Sequence, residues 1–196
     1  MTTRLFDTLR IVAETLDELN KPWALVGGLA LSVYVEPRFT ADIDIAVAVD
    51  SDEEAEQLLH ALQARGFIID TVIEQDATGR LATVRTYRSE DSPEGILVDL
   101  LFASSGIEPE IAERARTIEI IEDLAIPVAR PGDLFALKLL SADADKRPQD
   151  AIDLNQLATD SDDLDPNEIR TLLRLIERRG YSRGRDLLRL LEEHLG

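Results

Sequence analysis

Two aspartates separated by one residue, Asp42 and Asp44 in the stretch "DIDIAV", have the type and spacing for chemistry. Side chains alternate along a strand, so both carboxylates share one face while Ile43 and Ile45 share the other. One reading is a pair of acids on the wet face of an edge strand. The other is a shared divalent cation between them, preferably magnesium, which favours carboxylate and phosphate oxygens. A third carboxylate, Asp99, stands inside the apolar run "GILVDLLFA", where a lone acid is costly unless paired, protonated or metal-bound. Gly27 and Gly28 follow the apolar "WALV", a place where backbone N–H groups can approach phosphate oxygens. The third glycine of a dinucleotide fingerprint is missing, and no Gly-Lys-Ser/Thr of a Walker loop follows.

Lys138 lies in the helical pattern "GDLFALKLLSADAD", with Leu134, Phe135, Ser141 and Ala142 three and four positions away. A lysine on so apolar a face either snorkels outward or points at an anion. Downstream, Arg147, Asp150 and Asp153 recur every three residues, either as a structural ion-pair cluster or as a set that orients Lys138 or contacts a ligand. His60 and His194 read as surface residues. Ser104 and Ser105 follow a strand pattern without a histidine partner, which argues against a hydrolase triad.

The elements that must position these groups are legible from periodicity. Leu5, Phe6, Leu9, Val12, Ala13, Leu16 and Leu19 predict an opening amphipathic helix. "WALVG" and "IDIAVAV" read as strands, with a helix over Leu29–Val35 between them that Pro37 stops. Ser51 and Glu54 form a capping-box pattern ahead of a helix ending at Gly66. "FIIDTVI", "LATVRTYR" and "ILVDLLFA" are three further strands, followed by a helix over 107–116 and strand pieces at "TIEII" and "IPVA". From Pro131 the pattern turns helical, with Pro148 opening a second helix, an acidic linker "TDSDDLDPN", and two leucine-rich closing helices. The expected architecture is α/β (α+β): a small mixed sheet flanked by helices over residues 1–130, and a helical subdomain over 131–196 packed on it.

Composition bounds the function. With 196 residues, 44% hydrophobic residues and no cysteine, the chain can bury a core but offers no disulfide or thiolate chemistry. The amphipathic N-terminus reads as neither a signal peptide nor a membrane span, and a cytoplasmic protein is the expectation. A net charge of −18 argues against broad nucleic-acid binding, and no DNA partner is expected. The tail is an exception: seven arginines (Arg170, Arg174, Arg178, Arg179, Arg183, Arg185 and Arg189) stand against four acids.

Strand, glycine pair, helix, Asp-x-Asp with thirteen residues between Gly28 and Asp42, and a later strand aspartate together resemble the polymerase-β-like nucleotidyltransferase superfamily. "RFTADID" and "ALKLLSADADKRPQDAIDL" carry a narrower resemblance to the AbiEii/AbiGii-type abortive-infection toxins, and aminoglycoside nucleotidyltransferases show a looser version. The resemblance implies transfer of NMP from an NTP to an acceptor hydroxyl, with release of pyrophosphate. It implies Asp42, Asp44 and Asp99 as ligands of two magnesium ions and, with Lys138, as the catalytic set. Gly27, Gly28, Arg38, Thr40, Lys138 and Asp150 would bind the nucleotide. The acceptor it suggests is RNA, such as a tRNA end, and the partner a cognate antitoxin. A small-molecule acceptor, or a module that binds nucleotide or partner without turnover, is the alternative.

Overall fold

The computed structural model of the chain describes residues 2–37, 40, 42–75, 78–90, 95–142, 148–161 and 163–195. It opens with α1 (Thr2–Glu18), which turns Leu5, Leu9, Val12, Ala13 and Leu16 into the core as their spacing predicts. β1 (Trp23–Val26), buried on both faces, runs straight into α2 (Gly27–Leu31). That helix starts two residues earlier than the apolar pattern suggests and relaxes into turns after Leu31, well before Pro37. β2 (Asp42–Val47) and α3 (Asp52–Ala64) follow. The Ser51 side chain accepts the N–H of Glu54 at 3.3 Å, while Glu54 reaches past the cap to the N–H of Asp50 at 3.1 Å.

β3 (Phe67–Glu74), β4 (Leu81–Arg88), β5 (Leu97–Leu101), α4 (Glu108–Arg114), β6 (Arg116–Ile121) and β7 (Leu124–Val128) complete the α/β part. Then come α5 (Pro131–Ser141), α6 (Pro148–Asp160), α7 (Pro166–Arg178) and α8 (Leu187–Leu195). Among the described residues the strands form one mixed sheet in the order β3-β4-β5-β2-β1-β7-β6. β2 and β5 are parallel, joined through α3 and the β3–β4 hairpin, and their register sets Asp44 opposite Asp99. β4 runs antiparallel to β5 with Arg85 opposite Asp99. The alternation of side chains therefore puts Asp42, Asp44, Asp99 and Arg85 on one side of the sheet, with Ile43, Ile45, Val84 and Val98 buried on the other.

One continuous core joins the sheet to the later helices, from Leu25 and Ile45 through Phe135 and Leu139 to Leu173 and Leu191. A buried ionic tie reinforces it. Asp133 is fully buried at the first turn of α5, accepts the Arg130 N–H at 3.0 Å and pairs with Arg114, which also reaches Glu168 at 2.7 Å. Burial pushes the Asp133 carboxyl above its ordinary value. Arg185 donates to the carbonyls of Leu139 and Leu140 at 2.9 and 2.8 Å, satisfying the last turn of α5 from the α7–α8 loop. Among the described residues no helix is long and apolar enough to cross a membrane.

Candidate functional site

A cleft of about 1070 Å³ lies between the carboxylate face of the sheet and the helices α5 and α6. Gly27, Gly28, Thr40, Asp42, Asp44 and Asp99 line it from the sheet side, and Lys138 and Asp150 from the helices. The sequence singled out each of these residues. Arg38 and Arg147, which it also singled out, lie outside the described residues.

The floor is built by β1 and β2. Val26 pairs with Asp44 across the two antiparallel strands, so the chain leaves β1 beside the carboxylates and must turn at once. Gly27 makes that turn with φ +66°, a backbone conformation that side chains disfavour, and a Cβ there would stand 1.9 Å from Asp44 Oδ2. Both constraints demand glycine. Gly27→Ala should lose ~1–3 kcal/mol of stability through overpacking and push the Asp44 carboxylate aside. Urea unfolding, together with divalent-cation titration, checks this. Wild-type stability and cation affinity in the alanine variant would mean that the approach relaxes freely.

Asp44 is partly exposed to the cleft and carries the clearest electrostatic signature. Burial first, then the neighbouring charges of Asp99 and Asp42, push its pKa from 3.8 to about 6; Lys138 and Arg85 pull the other way. Among the described residues no side chain donates a hydrogen bond to the carboxylate of Asp42 or Asp44. Thr40 meets Asp42 only through the backbone, its hydroxyl accepting the Asp42 N–H at 3.4 Å. Among the described residues neither carboxylate has a direct ion-pair or side-chain hydrogen-bond partner, and Lys138 and Arg85 offset the crowding only in part, which fits a divalent cation held by those two carboxylates. Asp99 differs. Arg85 donates to both of its oxygens, Nε to Oδ1 at 2.8 Å and Nη2 to Oδ2 at 2.7 Å. Among the described residues no three acidic or histidine side chains converge closely enough to hold a metal ion.

Across the cleft, Lys138 does not snorkel. Its side chain is 16% exposed and its ammonium lies 2.8 Å from both Asp150 Oδ1 and Asp153 Oδ2. Ser141 donates to the other oxygen of Asp150 at 2.9 Å, and Gln149 donates to Asp153 at 3.0 Å. The i, i+3 spacing of the two aspartates on α6 thus serves to grip one ammonium.

Sequence reasoning missed Arg85, and it missed the α7–α8 loop. Gly180 and Arg183 reach the cleft from that loop, where Gly180, Arg183 and Gly184 all take positive φ. Arg183 donates to the Ser104 carbonyl at 3.2 Å, so Ser104 and Ser105 enter the cleft wall as scaffold. Of the seven tail arginines, Arg179 pairs with Glu110 at 2.6 Å and Arg189 with Glu193 at 2.7 Å, while Arg185 caps α5. Arg174 and Arg178 are exposed, Arg170 is half-buried, and none of the three lines the cleft. His60 is exposed; His194 is half-buried, edge-on to Phe135.

Comparison with solved structures places this geometry on a known fold. The solution structure of the antibiotic-resistance factor ANT(2″)-Ia is similar at 17% identity and a TM-score of 0.57, over 91% of this chain and 93% of that one. An antigenic nucleotidyltransferase-like protein from Paracoccidioides brasiliensis is similar at 21% identity and 0.53, over 96% and 92%. ANT(2″)-Ia in complex with adenylyl-2″-tobramycin is similar at 16% identity and 0.53, over 90% and 98%. No curated protein matches the sequence. The family model for the nucleotidyl transferase AbiEii toxin, of type IV toxin–antitoxin systems, matches residues 10–195. The cleft therefore sits in a nucleotidyltransferase, and the chain belongs to the AbiEii family.

Proposed function

We propose that the chain transfers NMP from a magnesium-bound NTP to an acceptor hydroxyl, with Asp42 and Asp44 holding the metal. The observation that carries this reading is the pair of carboxylates, without a direct ion-pair partner among the described residues, beside a glycine turn and facing a clamped lysine across one cleft. Magnesium, when bound, would supply Lewis-acid polarisation of phosphate oxygens. The chain's own residues do the rest. Gly27 and Gly28 keep the floor free of side chains, so the triphosphate can lie against backbone beside the carboxylates. Lys138, fixed by Asp150 and Asp153, presents an immobile positive charge to the phosphates. Thr40, and Arg38 from the neighbouring segment, would add contacts to the nucleotide.

For the acceptor we take RNA, such as a tRNA end, and for a partner a cognate antitoxin, both in keeping with the toxin family; the cytoplasm supplies the NTP and the magnesium. Incubating the pure protein with labelled NTPs and total small RNA tests the reading. Magnesium-dependent label on RNA is the expected result, and no label on RNA while small hydroxylated amines are labelled would replace it. That second reading, a cationic small-molecule acceptor, is favoured by the acids Glu74, Asp42, Asp44, Asp99 and Asp150 along the cleft.

The arginines of α7 give the RNA reading a separate measurement. If Arg170, Arg174 and Arg178 guide RNA phosphates, replacing all three by glutamine should flatten the salt dependence of RNA affinity by up to about three units, near one per phosphate contact. NTP affinity should hold. An unchanged slope would remove this stripe from acceptor binding.

A further inference from the structure

Three strands lay a row of charges beneath the cleft. Arg85 on β4 stands opposite Asp99 on β5, and Asp99 stands opposite Asp44 on β2. The guanidinium takes both oxygens of Asp99 in a fork, the geometry that most fully occupies a carboxylate. The Asp99 side chain is 12% exposed and that of Arg85 40%, so the buried carboxylate depends on a cation that itself forms part of the cleft wall. Withdrawing that cation would strand a charge in a poorly solvated place. Two carboxylates in the row, Asp42 and Asp44, are left without such a partner among the described residues.

We propose that the site loads a single divalent cation, through Asp42 and Asp44, and that Arg85 serves as its fixed second cation, keeping Asp99 out of the metal's ligand set. Arg85 is then a positioning residue. It balances Asp99 where a second metal ion would otherwise be required, and its charge remains beside Asp44 whether or not nucleotide is present. This departs from the two-ion, three-carboxylate arrangement that the sequence resemblance implies. It rests on the metal reading above.

Counting manganese bound to the full chain by electron paramagnetic resonance, with and without a nonhydrolysable NTP, separates the two readings. The wild type should bind one ion, and Asp99→Asn should still bind one, more weakly because a nearby negative charge is lost and Arg85 is left unbalanced. Two ions on the wild type, or the loss of an ion in Asp99→Asn, overturns the proposal. Arg85→Leu should free Asp99 and admit a second ion, and a folded Arg85→Leu protein that still binds one overturns the role of Arg85. Should that variant not fold, the comparison of wild type with Asp99→Asn decides alone. The metal reading itself fails separately, if the wild type binds no manganese or if Asp42→Ala/Asp44→Ala binds it as the wild type does.

Discussion

Asp44→Asn is expected to abolish nucleotidyl transfer and, without metal, to make the protein more stable at neutral pH. The activity loss should be about 10³-fold or more, on the scale of the several kcal/mol of charge stabilisation that a bound metal supplies. The stability gain follows from the raised pKa. Because Asp44 moves from 3.8 to about 6 on folding, the folded chain favours the neutral acid. The stability from that preference is fully present below pH 3.8, declines as the pH rises through about 6, and is gone above it. The difference between the two values corresponds to at most ~3 kcal/mol. Asparagine never ionises, so the variant avoids the penalty. Urea unfolding in chelator should show the variant ahead of wild type at pH 8, with the gap closing toward pH 4.5. Adding magnesium at pH 8 should raise the stability of the wild type only. A variant less stable than wild type at pH 8 in chelator would show that the carboxylate is stabilised by the fold rather than crowded by it.

The carboxylates of this site were legible for different reasons. Asp42 and Asp44 announce themselves by spacing, because a two-residue period is a local property of a strand. Asp99 was visible as an anomaly, an acid in an apolar run, but its neighbour in space was not. The register that sets Asp99 against Asp44 spans a crossover containing a helix and a hairpin, and no local pattern encodes it. Arg85 was missed for the same reason, though a signal existed. In "LATVRTYR" the alternate residues Ala82, Val84 and Thr86 are buried, which leaves Arg85 on the opposite face. A buried aspartate demands a donor, and an arginine on an adjacent strand is the natural place to seek it. The helix starts at Pro131 and Pro148, and the Ser51 cap ahead of α3, read well because such signals are local. The α7–α8 loop read poorly. Arg183 adopts a positive φ, and only tertiary contacts select that conformation for a side chain as large as arginine.

Lys138→Met should produce two losses that come apart under a second change. Lys138 answers to Asp150, 4% exposed, and to Asp153, which is fully buried. Removing the ammonium takes from both carboxylates the cation they share, and breaking a buried ion pair from one side typically costs about 3–5 kcal/mol. The substitution is therefore not the packing-neutral change that an apolar helix face suggests. Nucleotide affinity should also fall, by roughly 10- to 150-fold for one charge-assisted contact. Combining Lys138→Met with Asp150→Asn and Asp153→Asn removes the stranded charges along with the lysine. This triple variant should regain most of the lost stability in urea unfolding while its NTP affinity, by calorimetry, stays low. If it binds NTP as tightly as the wild type, Lys138 is a structural clamp between α5 and α6 and the phosphate charge must be met elsewhere in the cleft. If Lys138→Met alone unfolds at the wild-type urea midpoint, the two aspartates protonate without cost, and the clamp carries no stability.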